Sequence, residues 1–205
     1  YGGGRTNTEG NTYLNVEGKV GSRNDTNFYG GGHLRQVSGT SSVVFNAIAA
    51  SVDGYGNALS DSHINITGGT EASENQMPSY GSSVVTIKKT GDGMIRNVIG
   101  GSCISDIDSG DVSEPSYIDA KSAAVTLEAG NVKRIYGGGW IDGSYGKSLK
   151  RLTFSDGVNV TINGGTVAHD VLGLGLVELY AKNYTEWTKV PIGYDKGQNI
   201  LGTNG

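Results

Sequence analysis

The sequence of 205 residues contains one cysteine and only 3 prolines. Because a single thiol has no partner within the chain, Cys103 cannot form an internal disulfide, and stability must come from packing and hydrogen bonds. We expect Cys103 to be a small buried apolar side chain rather than a reactive thiol. No apolar run is long enough to cross a bilayer, so membrane insertion is not expected. A signal-peptide pattern is also missing. Since Tyr1 opens within a repeat phrase, we expect a segment of a longer polypeptide.

An excess of charge of either sign is also missing. The chain has 16 Lys and Arg against 20 Asp and Glu, which gives a formal charge of −4. The basic residues are scattered and form no stripe, so nucleic acid is not an expected partner. Hydrophobic residues make up 36% of the chain, but they are grouped in short β-branched clusters. This pattern argues against disorder and favours a thin, elongated core.

Glycine is abundant, with 35 residues, and it is organised in repeated phrases. The absence of a Gly-X-Y period excludes collagen. The phrase Tyr-Gly-Gly-Gly occurs at Tyr1–Gly4, Tyr29–Gly32 and Tyr136–Gly139, and Ile99–Ser102 is a near-copy. Short phrases that recur and end in glycine indicate a stack of similar structural units. The repeated positions predicted to be structural are Tyr1, Tyr29, Tyr136, Gly30, Gly31, Gly137 and Gly138.

A second phrase alternates with the first. It reads Ile-Asn-Ile-Thr-Gly-Gly-Thr at Ile64–Thr70 and Val-Thr-Ile-Asn-Gly-Gly-Thr at Val160–Thr166, and Val85–Ile87 and Val125–Leu127 are weaker copies. Apolar residues alternate with polar ones, as in a strand with one buried face. The glycine pairs Gly68 and Gly69, and Gly164 and Gly165, are predicted to end these strands, where positive φ angles allow the chain to turn.

These patterns predict an all-β fold in which strand pairs stack along an axis as a β-solenoid. Each pair buries its apolar face against the next pair, and every backbone group bonds to the units above and below. Residues 53–62, 71–82 and 105–120 interrupt the spacing and are predicted to be irregular loop insertions. Seven or eight coils are expected. Two segments, Asp170–Lys182 and Ser41–Ser51, show some helical periodicity.

The alternation of the two glycine phrases resembles the glycine-rich repeats of bacterial adhesin-like surface proteins, which belong to the pectin-lyase-like class. The resemblance implies a right-handed parallel β-helix in an extracellular or cell-surface bacterial protein. It covers about residues 1–175, which are expected to form the β-helix repeat domain. Residues 176–205 are expected to form a capping or joining segment of the same domain.

The repeated aromatic residues have two interpretations. Because Tyr1, Tyr29 and Tyr136 share one repeat position, we expect them to stack on each other as a column directed toward the core. An exposed platform for sugars is the alternative. Asn65 and other asparagines on strand faces are expected to form hydrogen-bonded ladders between coils.

An acidic cluster offers one candidate metal site. Asp106, Asp108 and Asp111 alternate in a glycine-containing loop, and such oxygen ligands suit Ca²⁺. The alternative is a solvated acidic loop with no metal. No cofactor other than calcium is expected, because the chain carries neither a complete phosphate-binding loop nor zinc-ligand spacing.

The chain is not expected to be an enzyme. Glycoside hydrolysis requires two carboxylates at a set separation, and His33 has no carboxylate pair close to it in the sequence. Asp142, near Trp140 and Tyr145, is a lone candidate. The leading hypothesis is therefore a structural or adhesive rod that self-associates end to end or joins neighbouring modules, with surface glycans as further candidate partners. The alternative is a polysaccharide-binding or polysaccharide-degrading β-helix, such as a lyase or a tailspike.

Overall fold

The computed structural model describes residues 1–4, 7–21, 25–33, 35–51, 63–72, 81–104, 116–143, 150–183, 186–190 and 200–204. All regular structure in these residues is β-strand, arranged in four sheets, and the strands are numbered in chain order. Sheet 1 contains β1 (Thr12–Val20), β3 (Ser41–Ala49), β6 (Ser82–Lys89), β10 (Ser122–Leu127) and β14 (Val158–Ile162). Sheet 2 contains β2 (Thr26–Tyr29), β4 (Ile64–Thr67), β7 (Met94–Ile99), β11 (Asn131–Tyr136), β15 (Thr166–Val167) and β16 (Val171–Leu172).

The two remaining sheets follow the same chain order. Sheet 3 contains β5 (Glu71–Ala72), β8 (Cys103–Ile104), β12 (Gly139–Gly143), β17 (Gly175–Asn183) and β18 (Glu186–Val190). Sheet 4 contains β9 (Ser116–Ala120), β13 (Lys150–Phe154) and β19 (Ile200–Asn204). Neighbouring strands in all four sheets are parallel, except that β18 runs antiparallel to β17. The all-β prediction is therefore confirmed.

The chain runs through the sheets in numerical order and then returns to sheet 1, and we call one such circuit a pass. Neighbouring strands in a sheet come from successive passes. Sheet 1 shows the register: Val16, Phe45, Ile87, Leu127 and Ile162 are consecutive partners. These partners lie 29, 42, 40 and 35 residues apart in the sequence. Because each pass uses that many residues, sheet 1 has five strands, fewer than the seven or eight coils predicted from the short phrases.

The core lies between the sheets and is filled by β-branched and aromatic side chains. Strand β3 alternates buried and less buried positions, with Val43, Phe45 and Ala47 inside. Inward residues of sheets 1 and 2 form the main cluster, and a second cluster around Ile118 and Phe154 joins sheets 3 and 4. Period-two burial accounts for the strands, because one face of each strand packs inside while the other faces out.

Both segments with helical periodicity are strands. Residues 41–49 form β3, and Gly175–Asn183 forms β17, so the helical prediction is wrong there. Backbone hydrogen bonding to the passes on either side outweighs the weak periodicity of these short segments. No helix in the described ranges has the length and apolar character needed to span a bilayer.

An asparagine ladder links three strands of sheet 2. Asn65 Nδ2 donates to Asn27 Oδ1, and Asn97 Nδ2 donates to Asn65 Oδ1, both at 2.9 Å. The three residues are register partners on β2, β4 and β7. Each amide thereby links one pass to the next, as predicted for Asn65, and side-chain bonds reinforce the backbone ladder.

Candidate functional site

A column of glycine pairs forms the corner between sheets 2 and 3. The first glycine of each pair donates its backbone N–H to the residue that precedes the next pair: Gly2 to Tyr29, Gly30 to Thr67, Gly68 to Ile99 and Gly100 to Tyr136, at 2.8–2.9 Å. We call this series the glycine column; its pairs are Gly2–Gly3, Gly30–Gly31, Gly68–Gly69, Gly100–Gly101 and Gly137–Gly138. The repeated Tyr-Gly-Gly-Gly phrases therefore lie in one column, with the phrases that begin at Thr67 and Ile99 between the copies at Tyr29 and Tyr136.

Glycine is required in this column for space rather than for backbone angle. A Cβ atom on Gly30 would overlap the carbonyl oxygen of Gly68, and one on Gly68 would overlap the carbonyl oxygen of Gly100. The same overlap recurs from Gly100 to Gly137. None of these glycines has a positive φ. The passes approach too closely at this corner for any side chain, which corrects the expectation that Gly68 and Gly69 permit a positive-φ turn.

The pair Gly164–Gly165 belongs to a different corner. It follows β14 of sheet 1, and Gly165 lies beside Gly130, which follows β10 of the same sheet. Here the positive-φ prediction is correct for Gly165, with φ of 85°, but not for Gly164; Gly130 also has a positive φ, of 104°. The two copies of the second phrase therefore lie on different sheets, and only the copy at Val160–Thr166 pairs in register with Val125–Leu127.

The tyrosines share one column beside the glycine pairs. Tyr1 and Tyr29 stack with ring centroids 4.8 Å apart and planes 8° apart. Register then continues from Tyr29 to Thr67, Ile99 and Tyr136. Tyr136 is thus three passes beyond Tyr29 and does not stack on it. Tyr29 and Tyr136 are buried, whereas Tyr1 is 53% exposed.

A second column lies on the other side of the glycine corner and contains three titratable side chains and one tryptophan. Its members in order are His33, Glu71, Cys103 and Trp140. Each is the fourth residue after the start of its glycine phrase, since it follows Tyr29, Thr67, Ile99 or Tyr136 by four positions. Strands β5, β8 and β12 of sheet 3 fix three of them in register.

Glu71 is the centre of a polar cluster at the first passes of the corner. Its Oε1 accepts a hydrogen bond from the Tyr29 hydroxyl at 2.9 Å, and its Oε2 accepts one from the Tyr1 hydroxyl at 2.5 Å. His33 Nδ1 lies 3.2 Å from the same Oε2 atom. The carboxylate is therefore fixed by three side chains that are distant in the sequence, and bonds to a charged acceptor are the stronger kind.

A cavity opens where the tyrosine column is interrupted. Thr67 and Ile99 occupy the two positions between Tyr29 and Tyr136, and the smaller side chains leave an indentation of about 160 Å³. We call it the corner slot. Trp140 lies close to Tyr136, with ring centroids 6.0 Å apart. The slot is lined by Asn27, Tyr29, Asn65, Thr67, Glu71, Ile99, Cys103, Ile104 and Trp140.

The slot is partly shielded from water and is lined by the carboxylate of Glu71. Burial, together with the smaller effect of the Glu71 carboxylate, raises the pKa of the Cys103 thiol to about 12. Burial likewise raises the pKa of Tyr29 far above its ordinary value, with the charges of Cys103 and Glu71 acting in the same direction. The low dielectric and the carboxylate both disfavour a second negative charge.

The thiol yields a testable pH dependence. Because the pKa of Cys103 is raised from 9.0 to about 12 on folding, the unfolded chain releases this proton first as pH rises. The stability that the group contributes is complete below pH 9 and is lost toward pH 12, with a slope of about 1.4 kcal/mol per pH unit. Urea unfolding of wild type and Cys103→Ala between pH 8 and about 10 should show a shallower decline for the variant. Equal slopes of unfolding free energy against pH in the two proteins would contradict the burial of the Cys103 thiol.

The predicted calcium ligands Asp106, Asp108 and Asp111 lie outside the described residues, as does Tyr145, so the calcium site stays a prediction. Within the described ranges, no group of three or more His, Cys, Asp and Glu side chains is placed to hold a metal ion. Asp142 lies in β12 at the register position of Glu178. Trp140, its neighbour in the sequence, lines the corner slot.

No local pattern in the sequence marks Glu71, and His33 has no carboxylate close to it in the sequence. The two are 38 residues apart, so no local pattern joins them. The position within the glycine phrase does join them. When Thr67–Glu71 is aligned with Tyr29–His33, instead of with the phrase at Val160–Thr166, Glu71 lies beside His33.

Comparison of the chain with protein-family models, with curated proteins and with solved structures gives no significant match.

Proposed function

We propose that the chain is a right-handed parallel β-helix that acts as a rigid structural or adhesive rod, without enzymatic activity. The observation that carries the proposal is the continuous parallel pairing of Val16, Phe45, Ile87, Leu127 and Ile162 through the five strands of sheet 1, with a register shift between β3 and β6 directly after Phe45. A stack of this kind resists bending, because each pass is hydrogen-bonded along its length to its neighbours. The right hand follows the usual hand of parallel crossovers.

The proposed setting is the bacterial cell surface or the extracellular space. Stability without a disulfide is supported by the close backbone contacts of the glycine column and by the asparagine ladder. The outer edge of β1, which pairs with β3 alone among the described strands, suits a further coil. We propose that this coil comes from a neighbouring module of a longer chain or from a second copy.

A polysaccharide-binding role is the second candidate, and the corner slot favours it over a polysaccharide-degrading one. Two aromatic rings and two amides line the slot, and these groups are common in ligand pockets. Hydrolysis would need a second carboxylate, and Glu71 is the carboxylate that the described lining contains.

Electron microscopy of the purified chain, with no ligand added, tests the rod proposal. The five strands of sheet 1 span only about 19 Å, four spacings of about 4.8 Å, so we expect compact particles for single chains and filaments when copies stack end to end. A control with Lys at an edge position of β1, Tyr13→Lys, should shorten filaments and leave single particles intact. Compact particles without filaments in both samples would contradict end-to-end self-association.

A further inference from the structure

We propose that the corner slot binds a compact organic ammonium group, held between the Glu71 carboxylate and the aromatic ring of Trp140. This inference rests on the proposed function, because it supplies a ligand class for an adhesive rod. The slot depends on the local register of sheets 2 and 3, however, and not on filament formation. Its test can therefore fail while the rod proposal holds.

The charge of the lining favours a cation. Glu71 is the charged residue among the described residues that line the slot, and the rest of the lining is aromatic, aliphatic, amide, hydroxyl or thiol. A carboxylate in a partly dry cavity attracts a positive group more strongly than it would in water. An anionic sugar would meet the same carboxylate at close range, so uronates are disfavoured.

One aromatic ring of the slot is placed to contact such a cation. Trp140 follows Glu71 by two passes in the second column, with Cys103 between them, so a cation beside the carboxylate lies near this ring. Tyr29 lies three passes before Tyr136 and between Tyr1 and Thr67 in its column, so it lines the slot without sharing the cation. Cations are attracted to the faces of tryptophan rings within about 6 Å of the ring centre, and quaternary and alkylated ammonium groups are bound in this way.

The size of the slot sets the class of ligand. A volume of about 160 Å³ holds several water molecules, which corresponds to an ammonium group with the carbon atoms next to it. A choline headgroup, a lysine side chain and an amino sugar all present this chemistry. The asparagine ladder beside the slot adds amide groups at Asn27 and Asn65, which favours a ligand that also carries hydroxyls.

The experiment is a titration of the full chain with four probes, followed by amide chemical shifts and by saturation transfer from protein to ligand. The probes are choline, Nα-acetyl-lysine methyl ester, glucosamine and N-acetylglucosamine. Glucosamine and its N-acetyl form differ in the charged amine, so they are a matched pair. We expect the three cations to bind at millimolar concentrations and N-acetylglucosamine to bind at least about tenfold more weakly, as for loss of one charge-assisted contact.

Three variants make the test specific. Glu71→Gln keeps the side-chain size, removes the charge, and should weaken glucosamine binding about tenfold or more. Thr67→Tyr continues the tyrosine column with a residue that the column already contains and should fill the slot, which abolishes binding in a folded protein. Tyr13→Ala removes an aromatic ring that is 64% exposed on the outer face of sheet 1 and should bind as wild type does.

The order of affinities among the cationic probes distinguishes the sources of the ammonium group. Equal binding of N-acetylglucosamine and glucosamine, with no effect of Glu71→Gln, would replace the proposal with a neutral-sugar site. Failure of every cation to bind wild type, or equal binding to Thr67→Tyr, would overturn it. Circular dichroism spectra and melting curves of each variant separate loss of the slot from loss of the fold.

Discussion

Replacement of Gly100 by alanine is expected to lower the free energy of unfolding by about 3 kcal/mol or more, which is large for the addition of one methyl group. Gly100 lies in the middle of the glycine column, between Gly68 and Gly137. Its Cβ atom would overlap the carbonyl oxygen of Gly137 and lie 2.8 Å from Val125 Cγ2. Neither neighbour can move freely, because the Gly137 backbone is held by the next pass and Val125 is part of the core.

Gly173→Ala is the matched control for this prediction. Gly173 also follows a strand of sheet 2 and occupies the next position in the same column, but a Cβ atom there would have no atom within 4 Å. Its φ is not positive, so alanine should leave stability unchanged or raise it by about 0.4–1 kcal/mol through the unfolded state. Chemical unfolding followed by circular dichroism measures both variants. Similar stabilities for Gly100→Ala and Gly173→Ala would contradict the close approach of the passes.

Replacement of Phe45 by alanine is expected to cost about 3–5 kcal/mol. Phe45 is fully buried, lies between Val16 and Ile87 in the register of sheet 1, and packs edge to face with Phe28 at 6.0 Å. Alanine would leave a cavity in the middle of the main cluster that the parallel strands on either side cannot close. A loss of this size is a large share of the stability of an ordinary domain.

Ile48→Ala on the same strand is the control for Phe45. Ile48 is 46% exposed on the outer face, so its truncation should cost less than about 1 kcal/mol. The two unfolding curves compare an inward and an outward position on the same strand, three residues apart, so any difference reports on burial and not on the type of secondary structure. If Ile48→Ala were as destabilising as Phe45→Ala, the assignment of the two faces of β3 would be reversed.

The sequence predicts the strands and their inward faces well, because alternation depends only on local periodicity. Ile64 and Ile66 are buried on one face of β4, as their alternation with Asn65 predicts, and Val125–Leu127 pairs with Val160–Ile162 as their similar phrases suggest. The tyrosine and glycine phrases likewise mark one corner of each pass. Lengths of the passes could not be predicted, because the intervening residues vary in number without disturbing the register.

The position of Glu71 in the candidate site does not follow from the resemblance between the two glycine phrases. Ile64–Thr70 and Val160–Thr166 have nearly the same residues, yet they lie on sheets 2 and 1 because the glycine pairs serve different purposes. Gly68 avoids contact with the next pass, whereas Gly165 adopts a positive φ. The sequence alone does not show which of these two roles a glycine has. Glu71 therefore came beside His33 and Tyr29 only when the register was known.

The parallel stacking of successive passes is tested most directly by one distance between spin labels. Tyr13 and Asn159 are both exposed, 146 residues apart in sequence, and four steps apart in one register column of sheet 1 through Ser42, Val84 and Ala124. Nitroxides on cysteines at these two positions, in a Cys103→Ala background, can be measured by double electron–electron resonance. Stacking predicts a narrow distribution centred at about 19 Å, four strand spacings of about 4.8 Å. A broad distribution, or a maximum at twice that distance, would contradict it.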